Sequence, residues 1–226
     1  MLKKRFRTYN VILLVLAMGC LVYYDCRGGL WLKGVTSAWF AALGAVNLWY
    51  GQKRRCGRQR VLGLAELALV LGMAADVLLG IQFLVGVVVF ALGHVSYVAA
   101  FCAVEKPSRR DLYVALPIGV LSVFLALGTP YIQVEDPALK IMLTAYAVVI
   151  SCMLGKVVGN LLAERTLSRR LMAIGGALFW FSDLMLALNL FGSGGKAASI
   201  LCMYTYWPGQ SILAHSLFHY VNEETA

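Results

Sequence analysis

Apolar runs long enough to cross a lipid bilayer recur along the whole of this chain, and they leave few folds open to it. A spanning helix needs about 20 mostly apolar residues, because inside hydrocarbon each backbone amide must bond within its own segment. Eight such runs are present, at 9–24, 30–50, 61–79, 83–104, 112–129, 138–162, 171–191 and 197–221. The spacing predicts an all-α polytopic membrane protein of eight transmembrane helices, a single transmembrane domain over residues 1–226. Composition agrees, with 61% hydrophobic and 14% charged residues, against about 45–50% and 25% in soluble domains. The first run is too long for a cleavable signal and lacks a small-residue cleavage site, so it is expected to stay as helix 1.

The net charge of +9 raises the question of nucleic acid or anionic lipid, and the positions of the charges answer it. Lys3, Lys4, Arg5 and Arg7 precede the first run. The 51–60 loop holds Lys53, Arg54, Arg55, Arg58 and Arg60, the 105–111 loop Lys106, Arg109 and Arg110, and the 163–170 loop Arg165, Arg169 and Arg170. The opposite side has only Arg27, Lys140 and Lys196. This positive-inside asymmetry predicts cytoplasmic N- and C-termini and no nucleic-acid partner. A bacterial inner membrane is the preferred location and the endoplasmic reticulum membrane the alternative. Six scattered cysteines without a CxxC predict no disulfide framework. The oligomeric state stays open.

Two carboxylates lie deep in the apolar runs. Asp183 sits within GGALFWFSDLMLALNLF (175–191) and Asp76 within LGMAADVLLGIQF (71–83). A charged side chain at such depth costs about 2.5–3.5 kcal/mol even on the lenient insertion scale, so it normally has a partner or a task. The two are 107 residues apart, and the same offset superposes Leu32-Lys33 on Leu139-Lys140, Ala38 on Ala145, Trp39 on Tyr146 and Tyr97 on Tyr204. This predicts a parallel 4+4 internal repeat in which each half contributes one aspartate. Helices 3 and 7 then run in the same direction with their aspartates at similar depth, where they can meet.

Other polar residues read less sharply. Lys33 is equally a snorkelling lysine or a functional one, and Lys156 can snorkel. Glu66 is expected to pair with the basic 51–60 loop. His94 and Tyr97, three apart, share a helix face, and His94 is equally an interior hydrogen-bonded group or a catalytic one. Pro117 is expected to kink helix 5, and the acidic loop 130–137 to be solvated. Pro208-Gly209 is expected to interrupt helix 8, leaving Tyr206 and Gln210 beside a cavity.

Two carboxylates in one desolvated pocket do not both ionise readily, so the pair can hold an acid and a base together near neutral pH. That suits hydrolysis of an acid-labile bond, with His94, Tyr97, Tyr206 and Gln210 orienting water or the substrate's polar part. Lys33 would hold one aspartate as its anion or meet a lipid phosphate. A site among apolar helices points to a lipid.

At these residues the chain resembles the YhhN-type family of eight-helix membrane proteins, the lysoplasmalogenases. The resemblance rests on Lys33 in helix 2, Asp76 in helix 3, Gly93-His94-Val95-Ser96-Tyr97 in helix 4, Gly176-Ala177 through Ser182-Asp183 in helix 7, and Tyr206 with Gln210 in helix 8. Ala75 departs from the glycine expected before the helix 3 aspartate, and Gly34 stands near where a proline is common. The resemblance implies that a lysophospholipid is the substrate. Its vinyl ether bond would be hydrolysed to a fatty aldehyde and glycerophosphoethanolamine or glycerophosphocholine, with catalytic Asp76 and Asp183. It also implies substrate-binding Lys33, His94, Tyr97, Ser182, Tyr206 and Gln210, no metal and no cofactor.

Three rival readings stand beside it. His215 and His219 at i, i+4, with His94 as a third ligand, resemble the zinc-dependent alkaline ceramidase and adiponectin receptor group. Phe90 stands where that group has a serine, and it has seven spans rather than eight. An intramembrane aspartyl protease would need GxGD where this chain has Gly72-Met73-Ala74-Ala75-Asp76. A non-enzymatic proton-coupled transporter would use the same buried groups, the repeat and a broken helix 8.

Overall fold

The computed structural model describes residues 1–128 and 132–223. Among them the chain is all helix: α1 Leu2–Arg27, α2 Leu30–Lys53, α3 Gln59–Ile81, α4 Phe83–Val104, α5 Arg109–Gly128, α6 Pro137–Ala163, α7 Leu167–Phe191 and α8 Gly195–Glu223. Among the described residues the only extended pairing is an isolated antiparallel bridge between Ile132 and Gly192. Pro130 and Tyr131 of the expected acidic loop lie outside the described residues.

Local chemistry sets the boundaries. Gly28 and Gly29 join α1 to α2 at φ 65° and 100°, a left-handed path in which a side chain would clash. A single extended residue, Gln82, separates α3 from α4. The Asp136 carboxylate accepts from the Ala138 amide at 2.9 Å with Pro137 in the first turn of α6, a favourable N-cap.

Five helices, α1, α3, α4, α6 and α7, are long and apolar enough to cross a membrane. In α2 and α8 many of the polar residues point inward: Thr36, Ser37 and Asn47 from α2, and Gln210, Ser211 and Ser216 from α8, are buried. Helix α8 packs against α7, α2, α1 and α3, α4 meets α3 and α6, and α5 packs on α6. The interior between α2, α3, α4, α6, α7 and α8 is therefore where buried polar groups collect.

Three expectations are corrected here. Helix α8 is not interrupted: it runs unbroken through Pro208, where Gly175 and Gly209 let α7 and α8 pack backbone to backbone. A Cβ on Gly209 would stand 3.2 Å from the Gly175 carbonyl oxygen. Lys156 does not snorkel; it is buried and bonded to Asp111 at 2.9 Å, a partner supplied by the start of α5. Glu66 makes no ion pair with the basic loop among the described residues; its Oε2 turns inward against the bare backbone of Gly44 and has no hydrogen-bond partner.

Candidate functional site

Asp76 lies 17 residues into α3 and Asp183 16 residues into α7, and both line one cavity of about 150 Å³. Lys33, Tyr24, Tyr206, Trp207, Cys202, Asn189 and Ser199 contribute to the same walls. Each aspartate is held by the helices beside its own.

At Asp76, Ser37 of α2 donates to Oδ2 at 2.5 Å. Lys33, one turn earlier on the same face, brings Nζ to 3.5 Å from Oδ1. Trp207 Nε1 donates to the Ser37 hydroxyl at 2.9 Å, which leaves that hydroxyl's own proton for the carboxylate. Tyr206 of α8 also approaches Asp76. An ammonium and a hydroxyl donor thus both face this carboxylate, contacts of the kind that favour a carboxylate's charged form.

Asp183 has a different environment. Tyr146 of α6 donates to its Oδ2 at 2.6 Å, and His94 Nε2 of α4 lies 3.2 Å from the same oxygen and 2.8 Å from the Tyr146 hydroxyl. His94 is fully buried, and its Nδ1 faces the Met153 sulfur at 3.4 Å. Its Nε2 faces two acceptors, the Asp183 carboxylate and the Tyr146 oxygen whose own proton goes to Asp183, which calls for a proton on Nε2. Both donors sit on Oδ2, and no lysine or arginine pairs with Asp183 among the described residues. Asp183 also lines a second, apolar cavity of about 100 Å³ formed by residues such as Phe83, Val87, Leu143, Ile150 and Trp180. It stands at the junction of the polar and the apolar space.

The remaining expected residues divide. Tyr97 is buried and donates to Gln210 Oε1 at 2.6 Å, so both stand behind Tyr206 rather than in the cavity wall. Ser182 is fully buried and donates to the Phe179 carbonyl at 2.7 Å, turned back onto its own helix. Ser37 and Tyr146 were not singled out as site residues from sequence. Ser37 lies four residues after Lys33, on one helix face, and Tyr146 occupies the position that the 107-residue offset matches to Trp39.

His215 and His219 are remote from this cluster. Their Nε2 atoms are 3.3 Å apart, and His215 Nδ1 meets Asn10 Oδ1 at 2.9 Å. His94, the third ligand of the zinc reading, is committed to Asp183 and Tyr146. No group of three His, Cys, Asp or Glu side chains comes together among the described residues.

The family model described as the YhhN family matches residues 31–217. The chain belongs to the YhhN family. That match runs from α2 into α8 and includes both aspartates and all the residues that hold them; Tyr24 of the cavity wall lies before it. No curated protein and no solved structure matches the chain.

Proposed function

We propose that this YhhN protein is a lysoplasmalogenase, hydrolysing the vinyl ether bond of a lysophospholipid to a fatty aldehyde and a glycerophospho-alcohol within the membrane. The observation that carries the proposal is the paired-carboxylate cavity. One aspartate with a counter-cation and one without face a common polar space, and the second also borders an apolar one. A lyso-lipid with a single alkenyl chain matches that division, with its chain in the apolar cavity and its glycerol end towards Lys33, Asn189 and Ser199.

The roles follow from the surroundings. In a vinyl ether the β-carbon lies on the chain side, so Asp183, at the mouth of the apolar cavity, is the acid that protonates it. The resulting oxocarbenium ion is stabilised by the anionic Asp76. Water attacks the carbon bearing the ether oxygen and gives its proton to Asp76, forming a hemiacetal. On collapse the hemiacetal hydroxyl returns a proton to Asp183, the bond to the glycerol oxygen breaks, and that oxygen takes the proton from Asp76. Both carboxyls end as they began.

All eight helices cross the bilayer in this account, with both termini cytoplasmic. A 4+4 repeat is supported by the helix neighbours. The pairs α1–α2, α2–α3, α3–α4 and α4–α6 become α5–α6, α6–α7, α7–α8 and α8–α2 when four is added to each number, counting past eight back to one. The aspartates follow suit: Asp76 on α3 is met from α2 and α8, and Asp183 on α7 from α6 and α4.

Aldehyde release from a lysoplasmalogen by purified protein in detergent tests the proposal. Asp76→Asn and Asp183→Asn keep the shape but cannot move the proton, and each is expected to lower kcat by about 10²–10⁴ while a chelator has no effect. A folded wild type that releases no aldehyde would refute the vinyl ether reading.

A further inference from the structure

We infer that Trp207 of α8 is a positioning residue for Asp76, acting through Ser37: its indole N–H holds the Ser37 hydroxyl turned onto the carboxylate. The bearing of this relay on catalysis rests on the lysoplasmalogenase reading; the relay itself does not. A contrast within the chain carries it. A serine or threonine inside a helix often donates back to the carbonyl one turn earlier, and this chain follows that habit. Thr36 donates to the Leu32 carbonyl at 2.8 Å, Thr144 to that of Lys140 at 2.8 Å, Ser151 to that of Ala147 at 2.6 Å and Thr205 to that of Leu201 at 2.6 Å. Ser37 follows Thr36 on α2, with the Lys33 carbonyl one turn behind it. It gives its single proton instead to Asp76 Oδ2 on α3, at 2.5 Å.

The hydroxyl's other contact explains the departure. Trp207 Nε1 donates to Ser37 Oγ at 2.9 Å, and an indole nitrogen is a donor only. Ser37 and Trp207 are 0% and 3% exposed, so neither has water to turn to. A serine rotated back onto its own helix would leave the indole N–H without its acceptor, a costly state for a buried donor. The indole is held in turn: Tyr24 and Tyr206 meet it edge-on, with ring centroids 5.1 and 5.5 Å away. Tyr24, Trp207 and Asp76 all line the polar cavity, and Tyr24 brings α1 into the site from outside the family match. The contacts thus run from Tyr24 through Trp207 and Ser37 to Asp76, the carboxylate that takes the proton of the attacking water. A donor fixed on one carboxylate oxygen fixes the carboxylate plane, and with it the direction from which that proton is taken.

Two conservative variants read the relay. Ser37→Ala removes the hydroxyl, and Trp207→Phe removes the N–H while leaving a ring between Tyr24 and Tyr206. Lys33 still faces Asp76 in both. Infrared difference spectra of the protein in detergent, with no lipid present, show the Asp76 carboxyl group as the band that Asp76→Asn lacks. That band is expected to shift in Ser37→Ala, to shift the same way in Trp207→Phe, and to move no further in the double variant, because both substitutions remove one and the same hydrogen bond from the carboxylate. In aldehyde release each single variant is expected to lower kcat about tenfold, with KM unchanged in Ser37→Ala, and the double variant to fall no lower than Ser37→Ala alone. A band at the wild-type position in folded Ser37→Ala or Trp207→Phe would overturn the relay, as would kcat losses that multiply in the double variant. Band shifts as expected with no aldehyde from the wild type would overturn the lysoplasmalogenase reading and leave the relay standing. The same shifts with kcat unaltered would overturn only the relay's catalytic role.

Discussion

Tyr146 joins Asp183 and His94 into a three-way contact. Its hydroxyl is the shortest donor to the Asp183 carboxylate, at 2.6 Å, and lies 2.8 Å from His94 Nε2. Tyr146→Phe removes the hydroxyl and leaves the ring, so the packing of α6 on α4 is retained while Asp183 loses one of two donors. Asp183 becomes a carboxylate as it gives up its proton, and losing a hydrogen bond to that developing charge costs about 1.5–3 kcal/mol. We expect kcat to fall roughly ten- to hundredfold with an unchanged melting temperature, measured by steady-state aldehyde release beside thermal unfolding in detergent. An unaltered kcat would remove Tyr146 from the site. Both aspartates were legible in the sequence, because a carboxylate deep in an apolar run stands out by its cost. Ser37 and Tyr146 were not, since a serine or a tyrosine in an apolar helix costs little and reveals its role only when a neighbouring helix brings a carboxylate to it.

Among the elements, the α7–α8 pair fixes the depth of the site, because Asp183 and Tyr206 ride on it. Its close approach depends on Gly175 and Gly209: a Cβ on Gly175 would come 2.9 Å from the Gly209 carbonyl oxygen and 2.7 Å from Leu213 Cγ. Small residues of this kind let membrane helices touch backbones. Gly175→Leu should force α7 from α8 and destabilise the fold by about 1–3 kcal/mol, the usual cost of overpacking, seen as a lower melting temperature. A melting temperature equal to wild type would show that α7 and α8 do not pack through these glycines. Pro208 does not end α8, which runs through it beside this interface. The sequence marks a proline as a breaker, but whether the freed backbone is tolerated depends on the neighbouring helix, which no local pattern records. Helix existence, by contrast, was plain from run length alone, and the expected runs fall within the eight observed helices except for Thr129, which lies outside the described residues.

At the scale of the whole molecule, the interior is divided between a polar cavity bounded by Asp76, Lys33 and Asp183 and an apolar one that meets it at Asp183. Periodicity and composition predicted the bundle, and the 107-residue offset predicted that the aspartates would share a depth. Neither could reveal that Asp183, and not Asp76, borders both spaces, because that follows from how α4, α5, α6 and α7 leave room between them. The division assigns the proton donor to the chain side of the substrate, and this assignment is the central claim. It is tested most directly by running the hydrolysis of a lysoplasmalogen in D₂O and locating deuterium in the released aldehyde by mass spectrometry. The account predicts one deuterium on the carbon next to the carbonyl, delivered by Asp183, and no product from Asp183→Asn. An aldehyde without deuterium at that carbon, or with it undiminished in Asp183→Asn, would contradict it.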